Sequence, residues 1–487
     1  LGQDHERVDL HIRLRGEARL GAQIYARLRA AILDGSLGAG ARLPPTRELA
    51  ERLAVSRNTV AAAYERLTAE GFLSGRAGAG TFVSAEAVAA AAPHKAPSRA
   101  TLRPRAVWTA LVAGRDVIVP EAATPPPRYD FRLGTPDARL FPVDEWRRLV
   151  AQRLRRITQN GGYAEATGHA GLRAAIARYV AVSRSVRAGS DDIVVTSGAQ
   201  QAIDLVARVL LAPGACVAVE EPGYPPVRQL LAAHGARVVP VPVDGEGLKV
   251  AALPDAARLV YVTPSHQFPL GMAMSLERRL MLLAWAERRD AVIIEDDYDS
   301  EFRFAGRPLE PLQSLDRTGR VLYVGSFSKV LLPMLRLGFV VAPASLRPAL
   351  AAAKRLCDWH CELVGQAALA RFIDDGLLAR HIRKMTREYQ ARRERILHLL
   401  EGKLGAWLTP IAGPAGLHLA ALADRRRFSV ERALALAAEA GVALSPLSLF
   451  FARPPGRPGL VLGYGGIALG RIDDGLRYLG DCIRAAS

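Results

Sequence analysis

The sequence predicts an α/β protein in two parts, a small helical head followed by a large domain built on a mostly parallel sheet. Three observations carry this. The chain has 487 residues, too many for one hydrophobic core. Within residues 1–84, three apolar helical stripes stand close together and a glycine-rich hairpin pattern follows. From about residue 129 onward, short β-branched runs alternate with helical stretches.

The head comes first. "AQIYARLRAAILDG" sets Ile24, Leu28 and Ile32 four residues apart, an apolar stripe closed by Gly35. "LPPTRELAERLAV" follows, with Thr46 as the expected N-cap and Leu49, Ala50 and Leu53 on one face. After a very short break, "SRNTVAAAYERLTAEG" begins with Ser56 as N-cap, turns Val60, Tyr64 and Leu67 inward, and ends at Gly71. Two helices so closely joined form a helix-turn-helix. The second exposes Arg57, Asn58 and Thr59 at its first turn, where a recognition helix meets base edges. "FLSGR" and "GTFVS" around "AGAG" read as a β-hairpin wing with Arg76 near its tip.

Residues 85–128 are dominated by alanine and proline and predict a semi-rigid linker with extended proline segments and a short helix. The large domain, 129–487, carries seven buried-strand runs: "DIVVTSG", "CVAVEEPG", "RVVPVPV", "RLVYVTP", "AVIIEDD", "VLYVGS" and "GFVVAP". Apolar runs between helices indicate a sheet covered on both faces. Ligands of such sheets bind beyond the carboxyl ends of the strands. Three runs end there in polar or glycine residues, at Thr196-Ser197-Gly198, Asp296-Asp297 and Gly325-Ser326.

Composition narrows the classes. No run of eighteen apolar residues exists, which excludes a transmembrane helix. No apolar h-region opens the sequence, so a cytoplasmic protein is expected. Cys216, Cys357, Cys361 and Cys482 are too few and too scattered for a disulfide framework. Cys357 and Cys361 stand one helical turn apart without a second ligand pair, so no metal site is expected. The formal net charge of +17 invites a polyanion. Six of the basic residues are lysine and arginine supplies the rest, spread along the chain; the charge supports a nucleic-acid partner without establishing one.

Those few lysines draw attention to "GSFSKVLLPMLRLGF", Gly325–Phe339. Pyridoxal 5'-phosphate (PLP) needs a lysine for a Schiff base, hydroxyls, helix N–H groups and an arginine for its phosphate, and a carboxylate for its pyridine nitrogen. Lys329 suits the first need. Ser326, Ser328 and Arg336 suit the phosphate, joined by Gly198, Ala199 and Gln200 at the mouth of a helix. Asp296 suits the pyridine nitrogen, Tyr298 the phenolic oxygen, and Tyr224 in "EEPGY" the ring face. Taken singly these are ordinary: "EDDYDSEF" on its own reads as a solvated acidic turn. The ordered set at successive strand ends carries the assignment.

Leu43-Pro44, Arg47, Leu49-Ala50, Ser56-Arg57, Thr59-Val60, Tyr64, Leu67, Gly71, Gly78, Gly80-Thr81 and Val83 together resemble the winged helix of GntR-type bacterial regulators. Pro45 departs from that pattern, where serine is usual. The likeness implies a double-stranded DNA operator and adds Arg47, Ser56 and Gly78 to the DNA-facing set. "RLGTPDARLFP", "GHAGLRAAIARYV", "VVTSGAQQAIDLV", "YVTPSHQFPLG" and "IIEDDYDSEFRF" resemble a fold-type I aminotransferase. The whole resembles the MocR family of regulators. That resemblance implies a PLP-binding effector domain that senses PLP or a reactive amine or amino compound without physiological turnover, in a head-to-tail homodimer. The alternative is a working aminotransferase with an appended head. It also implies that Tyr163 reaches the neighbouring subunit's phosphate and that His266 and Gln267 lie beside the phenolic oxygen. In amino-acid-binding members an arginine before a C-terminal "LGF"-type motif grips the substrate carboxylate. Here "GLVLGYGG" puts Val461 there, which offers no such grip. PLP itself, or an amine held by another arginine, is then the expected ligand.

Overall fold

The computed structural model describes residues 14, 16, 19–76, 78–91, 103–113, 126–157, 161–306, 310–411, 413–424, 426–453 and 458–487. The chain divides into two compact units, Leu1–Arg103 and Pro104–Ser487.

The first unit holds α1 (Leu20–Leu33), α2 (Thr46–Leu53), α3 (Arg57–Ala69) and a hairpin of β1 (Leu73–Arg76) and β2 (Gly80–Val83). The predicted stripes meet in one core: Ile24, Leu28, Ile32, Leu49, Val60 and Leu67 are all fully buried. Tyr64 is buried beside them and its hydroxyl donates to Pro44 O at 2.9 Å, which ties α3 to the segment entering α2. Ser56 caps α3, accepting from Thr59 N at 3.1 Å. Thr46 is not a cap. It is the first helical residue, and extended Pro45 precedes it with no side chain able to accept. The wing pairs Leu73 with Val83 and Arg76 with Gly80. Gly78 turns its tip at φ +73°, a conformation that suits glycine.

The stretch expected as a linker contains two helices. α4 (Ala85–Ala91) packs on α1, with Ala87 and Val88 against the head core. α5 (Ala106–Ala113) belongs to the second unit. Residues 92–102 and 114–125 of that stretch lie outside the described residues.

The second unit opens with β3 (Tyr129–Asp130), α6 (Val143–Ile157) and α7 (Ala170–Arg184). Its main sheet follows as β4 (Ile193–Thr196), α8 (Ala199–Leu210), β5 (Cys216–Glu221), α9 (Pro225–Ala233), β6 (Arg237–Asp244), β7 (Gly247–Leu248), β8 (Ala257–Val262), α10 (Leu276–Arg289), β9 (Val292–Asp297), α11 (Leu312–Leu315), β10 (Val321–Ser326) and β11 (Gly338–Val341). The eight strands lie in the order β4-β11-β10-β9-β8-β5-β6-β7. β10-β9-β8-β5-β6 run parallel, while β11, inserted between β4 and β10, and edge strand β7 run antiparallel. All seven predicted runs are strands of this sheet. Alternation decides their faces: Leu259 and Tyr261 of β8 pack with α8 and α9, whereas Val260 and Val262 pack with α10. α5 packs on α9.

The C-terminal part comprises α12 (Arg347–Asp358), α13 (Leu363–Asp374), α14 (Leu377–Glu401), β12 (Leu408–Ile411), β13 (His418–Ala423), α15 (Val430–Glu439), β14 (Val442–Ala443), β15 (Ser445–Pro446), β16 (Gly459–Gly463) and α16 (Leu469–Ala485). A second, antiparallel sheet, β12-β13-β16-β15, was not anticipated. On β16 Leu460 and Leu462 join the main core, and Val461 between them turns the other way, to Leu133, Phe268, Leu447 and Phe450. Among the described residues no helix is long and apolar enough to cross a membrane.

Candidate functional site

The carboxyl ends of β4, β9 and β10 surround a cavity of about 600 Å³. β4 delivers Ser197 and Gly198 to the start of α8. Gly198, the N-cap, sits at φ +79° and ψ 175°. A Cβ there would stand 2.6 Å from Arg336 Nη2, so the absence of a side chain lets the guanidinium close over the turn. Arg336 Nη2 donates to Ser197 O at 2.6 Å. Ala199 and Gln200 line the cavity and open the helix, where the first N–H groups have no carbonyl of their own. Ser326 at the end of β10 faces them: its hydroxyl lies 2.9 Å from Ser328 Oγ and accepts from Ser328 N at 3.1 Å. This end of the cavity is built for an anion.

Lys329 follows. Its Nζ donates to Gly134 O at 2.8 Å, and burial pulls its pKa below the ordinary lysine value, which favours the free amine. Asp296 stands on the neighbouring strand. Its Oδ2 accepts from Tyr261 Oη at 2.6 Å, and its Oδ1 is buried and accepts no hydrogen bond. Burial pushes its pKa up to about 7. Behind it Asp297 pairs with buried Arg184 and accepts from Tyr323 Oη at 2.6 Å, which holds the strand end in place.

Tyr224 and Tyr298 also line the cavity. Burial raises Tyr224 to about 12 and Tyr298 well above the usual phenol range. Tyr298 Oη donates to His266 O at 2.9 Å. His266 Nδ1 lies 2.9 Å from Asp299 Oδ1. That arrangement assigns the His266 proton to Nδ1, facing the carboxylate.

Other expected residues fall elsewhere. His266 and Gln267 are buried behind the lining; the Gln267 amide donates to Pro222 O and Phe268 O, both at 2.8 Å. Tyr163 is 81% exposed and stacks on Trp359 of its own chain, centroids 4.7 Å apart. Arg336 is the only arginine lining the cavity among the described residues, so no second one stands ready for an amine. Conversely, Gly134, Tyr261, Asp299 and His418 line the cavity and were not anticipated. Tyr261 lies within the apolar part of β8 and His418 opens β13, and neither marks itself by ending a strand run.

The residues present fit PLP. A buried, unpartnered carboxylate oxygen, a primary amine and an anion cradle that a Cβ at Gly198 would fill all meet in one cavity. In the head, Arg57, Asn58, Arg47 and Arg76 are exposed. Arg47 pairs with Glu51 at 3.4 Å, and the Arg76 guanidinium lies 5.0 Å from the Phe82 ring centroid. Thr59 is half-buried, its hydroxyl 2.8 Å from Ser56 Oγ, so these two hydroxyls serve the cap.

Comparison with known proteins agrees with both units. Residues 20–83 match the family of bacterial regulatory proteins, gntR family, and 130–458 match aminotransferase class I and II. The probable rhizopine catabolism regulatory protein MocR of Rhizobium meliloti is 41% identical, over 94% of this chain and 92% of that protein. The HTH-type transcriptional regulator TauR of Rhodobacter capsulatus is 35% identical, over 96% and 97%. The crystal structure of LysN, an α-aminoadipate aminotransferase from Thermus thermophilus complexed with N-(5'-phosphopyridoxyl)-L-leucine, superposes with a TM-score of 0.67 at 31% identity, over 73% of this chain and 92% of that one.

Proposed function

Because the chain belongs to the MocR family, in which a gntR-type head precedes an aminotransferase domain, we propose that its large domain is a sensor whose state of occupancy sets how the head binds its operator. The protein is a DNA-binding transcriptional regulator, and its cofactor is PLP. The sensed compound is PLP itself or an amino compound that reacts with it. One observation carries this: Lys329, Asp296 and Arg336 converge on a single cavity in a chain headed by a winged helix.

Bound PLP supplies an aldehyde that reacts with primary amines and a ring that withdraws electrons from them. The protein's residues do the rest. Arg336, Ser326, Ser328 and the first turn of α8 would hold the phosphate. Asp296 Oδ1, otherwise alone, would accept a charge-assisted hydrogen bond from the pyridine nitrogen. Lys329, whose pKa burial lowers, would hold the aldehyde through its amine. Tyr298, whose hydroxyl donates to His266 O at 2.9 Å, would exchange that partner for the phenolic oxygen. Differential affinity for two domain arrangements then transmits occupancy to the head.

The functional unit is a head-to-tail homodimer. Tyr163, Trp359, Leu356 and Met334 are exposed apolar side chains of the second unit, and Met334 lies two residues from Arg336. An interface there would shield them and bring Tyr163 toward the partner's phosphate. A regulator of bacterial DNA works in the cytoplasm.

The test is an absorption spectrum of the purified protein with and without PLP, followed by operator binding with and without PLP at fixed salt and a coupled transaminase assay over many donors. The sensor reading expects a new visible band, a change in operator affinity and negligible turnover. Brisk turnover with operator binding indifferent to PLP and amines would favour a working aminotransferase.

A further inference from the structure

This inference rests on PLP binding in the cavity and concerns the compound that meets it there. The cavity is polarised. Its cationic groups are Arg336 and Lys329, and Arg336 is committed to the anion end, over Ser197 and Gly198. The opposite wall is hydrocarbon, a neutral imidazole and an acid.

Leu133, Phe268 and Leu417 supply the hydrocarbon, with fully buried Val461 packed behind the first two. His418 lies on the site-facing side of β13; its Nε2 is 3.1 Å from Pro269 O, so that nitrogen carries the proton and donates. Burial drives the pKa of His418 down to about 3, so the ring presents no positive charge. Asp299 accepts at both oxygens, from His266 Nδ1 at 2.9 Å and from Leu417 N at 3.1 Å. Besides Arg336, the only cation among the described lining residues is Lys329, whose charge Asp299 favours and which the cofactor's aldehyde would engage.

We infer that the effector is a primary amine bearing no carboxylate on its amine carbon, and that Asp299, His418 and the apolar wall select it against the matching α-amino acid. An α-carboxylate sits two bonds from the nitrogen and enters wherever the amine enters. Here it would be buried against leucine and phenylalanine without a partner and close to an acid, which burial makes costly. An amine has only carbon or hydroxyl to place there, and His418 can hydrogen-bond a hydroxyl.

The experiment uses the full-length, PLP-loaded protein and matched pairs: phenethylamine with phenylalanine, putrescine with ornithine, agmatine with arginine. Each is titrated while the visible band of the cofactor and the affinity for operator DNA are followed at fixed salt, with free PLP as the control for intrinsic reactivity. Each amine should half-saturate at a concentration at least roughly tenfold below its amino acid. Asp299→Asn, which keeps the side chain's size, should narrow that ratio. An amino acid that equals or beats its amine overturns the inference and leaves PLP sensing standing. An unchanged ratio in Asp299→Asn removes the acid from the selection. If neither class moves the band or the operator affinity of a protein that still carries its cofactor, amine sensing falls together with the inference.

Discussion

Tyr261 donates its hydroxyl proton to one oxygen of Asp296 at 2.6 Å and leaves the other oxygen buried with no donor. The tyrosine aims the carboxyl group, and the vacant oxygen is where the cofactor's ring nitrogen belongs. Without that nitrogen, burial raises Asp296 from 3.8 to about 7. The folded state therefore holds a proton that the unfolded state releases near pH 4.

Cofactor-free protein should accordingly be most stable below about pH 4 with respect to this group, lose stability as the pH rises to 7, and level off above. The upper limit for a shift of this size is about 4 kcal/mol. Glu220, also raised to about 7 by burial, acts in the same direction. Urea midpoints between pH 4.5 and 8 should show a shallower fall for Asp296→Asn and for wild type saturated with PLP. Parallel curves would mean that Asp296 is ionised in the cofactor-free fold.

Gly198→Ala should lower the affinity for PLP and for inorganic phosphate by about tenfold or more. The new methyl group would meet the Arg336 guanidinium at a backbone angle that already disfavours a side chain, a strain of about 1–3 kcal/mol. Gly214→Ala is the control: it has φ +84° and open space around it, so strain appears there without crowding. Equal loss of phosphate affinity in both variants would leave Arg336 out of the cradle.

Lys329→Ala should abolish the visible band of lysine-bound cofactor and keep the far-ultraviolet circular dichroism and melting temperature close to wild type. The change removes a buried amine that burial already disfavours as a cation. A retained band would place the reactive amine elsewhere.

Arg57→Ala should weaken specific operator binding by about 1–3 kcal/mol and random DNA much less, because Arg57 is exposed on the first turn of α3, where a recognition helix meets base edges. Arg47, paired with Glu51 along α2, should affect both substrates alike, the signature of a phosphate contact. Gel-shift titrations at one salt concentration distinguish the two patterns.

The strand ends were legible because β-branched runs announce buried parallel strands, and a polar residue ending such a run has no core to enter. Asp296, Ser326 and Gly198 were found in that way. Tyr261 was hidden because it lies inside its run, and only the pairing of β8 with β9 shows that it stands beside Asp296. His418 was hidden for a similar reason: the face of β13 that meets the cavity is set by pairing with β16, opposite Gly463, far away in sequence. Tyr163 was assigned through likeness to dimeric relatives, and one chain alone turns it onto Trp359. The cap expected at Thr46 failed one residue away, because proline took the preceding position and moved the helix start.

Inserting β11 between β4 and β10 makes Gly198 and Arg336 neighbours, with Gly338 of β11 backed onto Gly198 itself. The anion cradle thus waits for the strand that follows Arg336, and the wall waits for β13 and β16. The head needs nothing beyond α4. At translation rates of 5–20 residues per second, the winged helix leaves the ribosome roughly 20 to 70 s before the last strand of the sensor is made. During that interval each nascent chain can carry a finished reader of DNA and no finished detector. Nonsense mutations between α5 and β10 should therefore release heads that answer to no effector, and their regulatory phenotype would differ from that of a deletion.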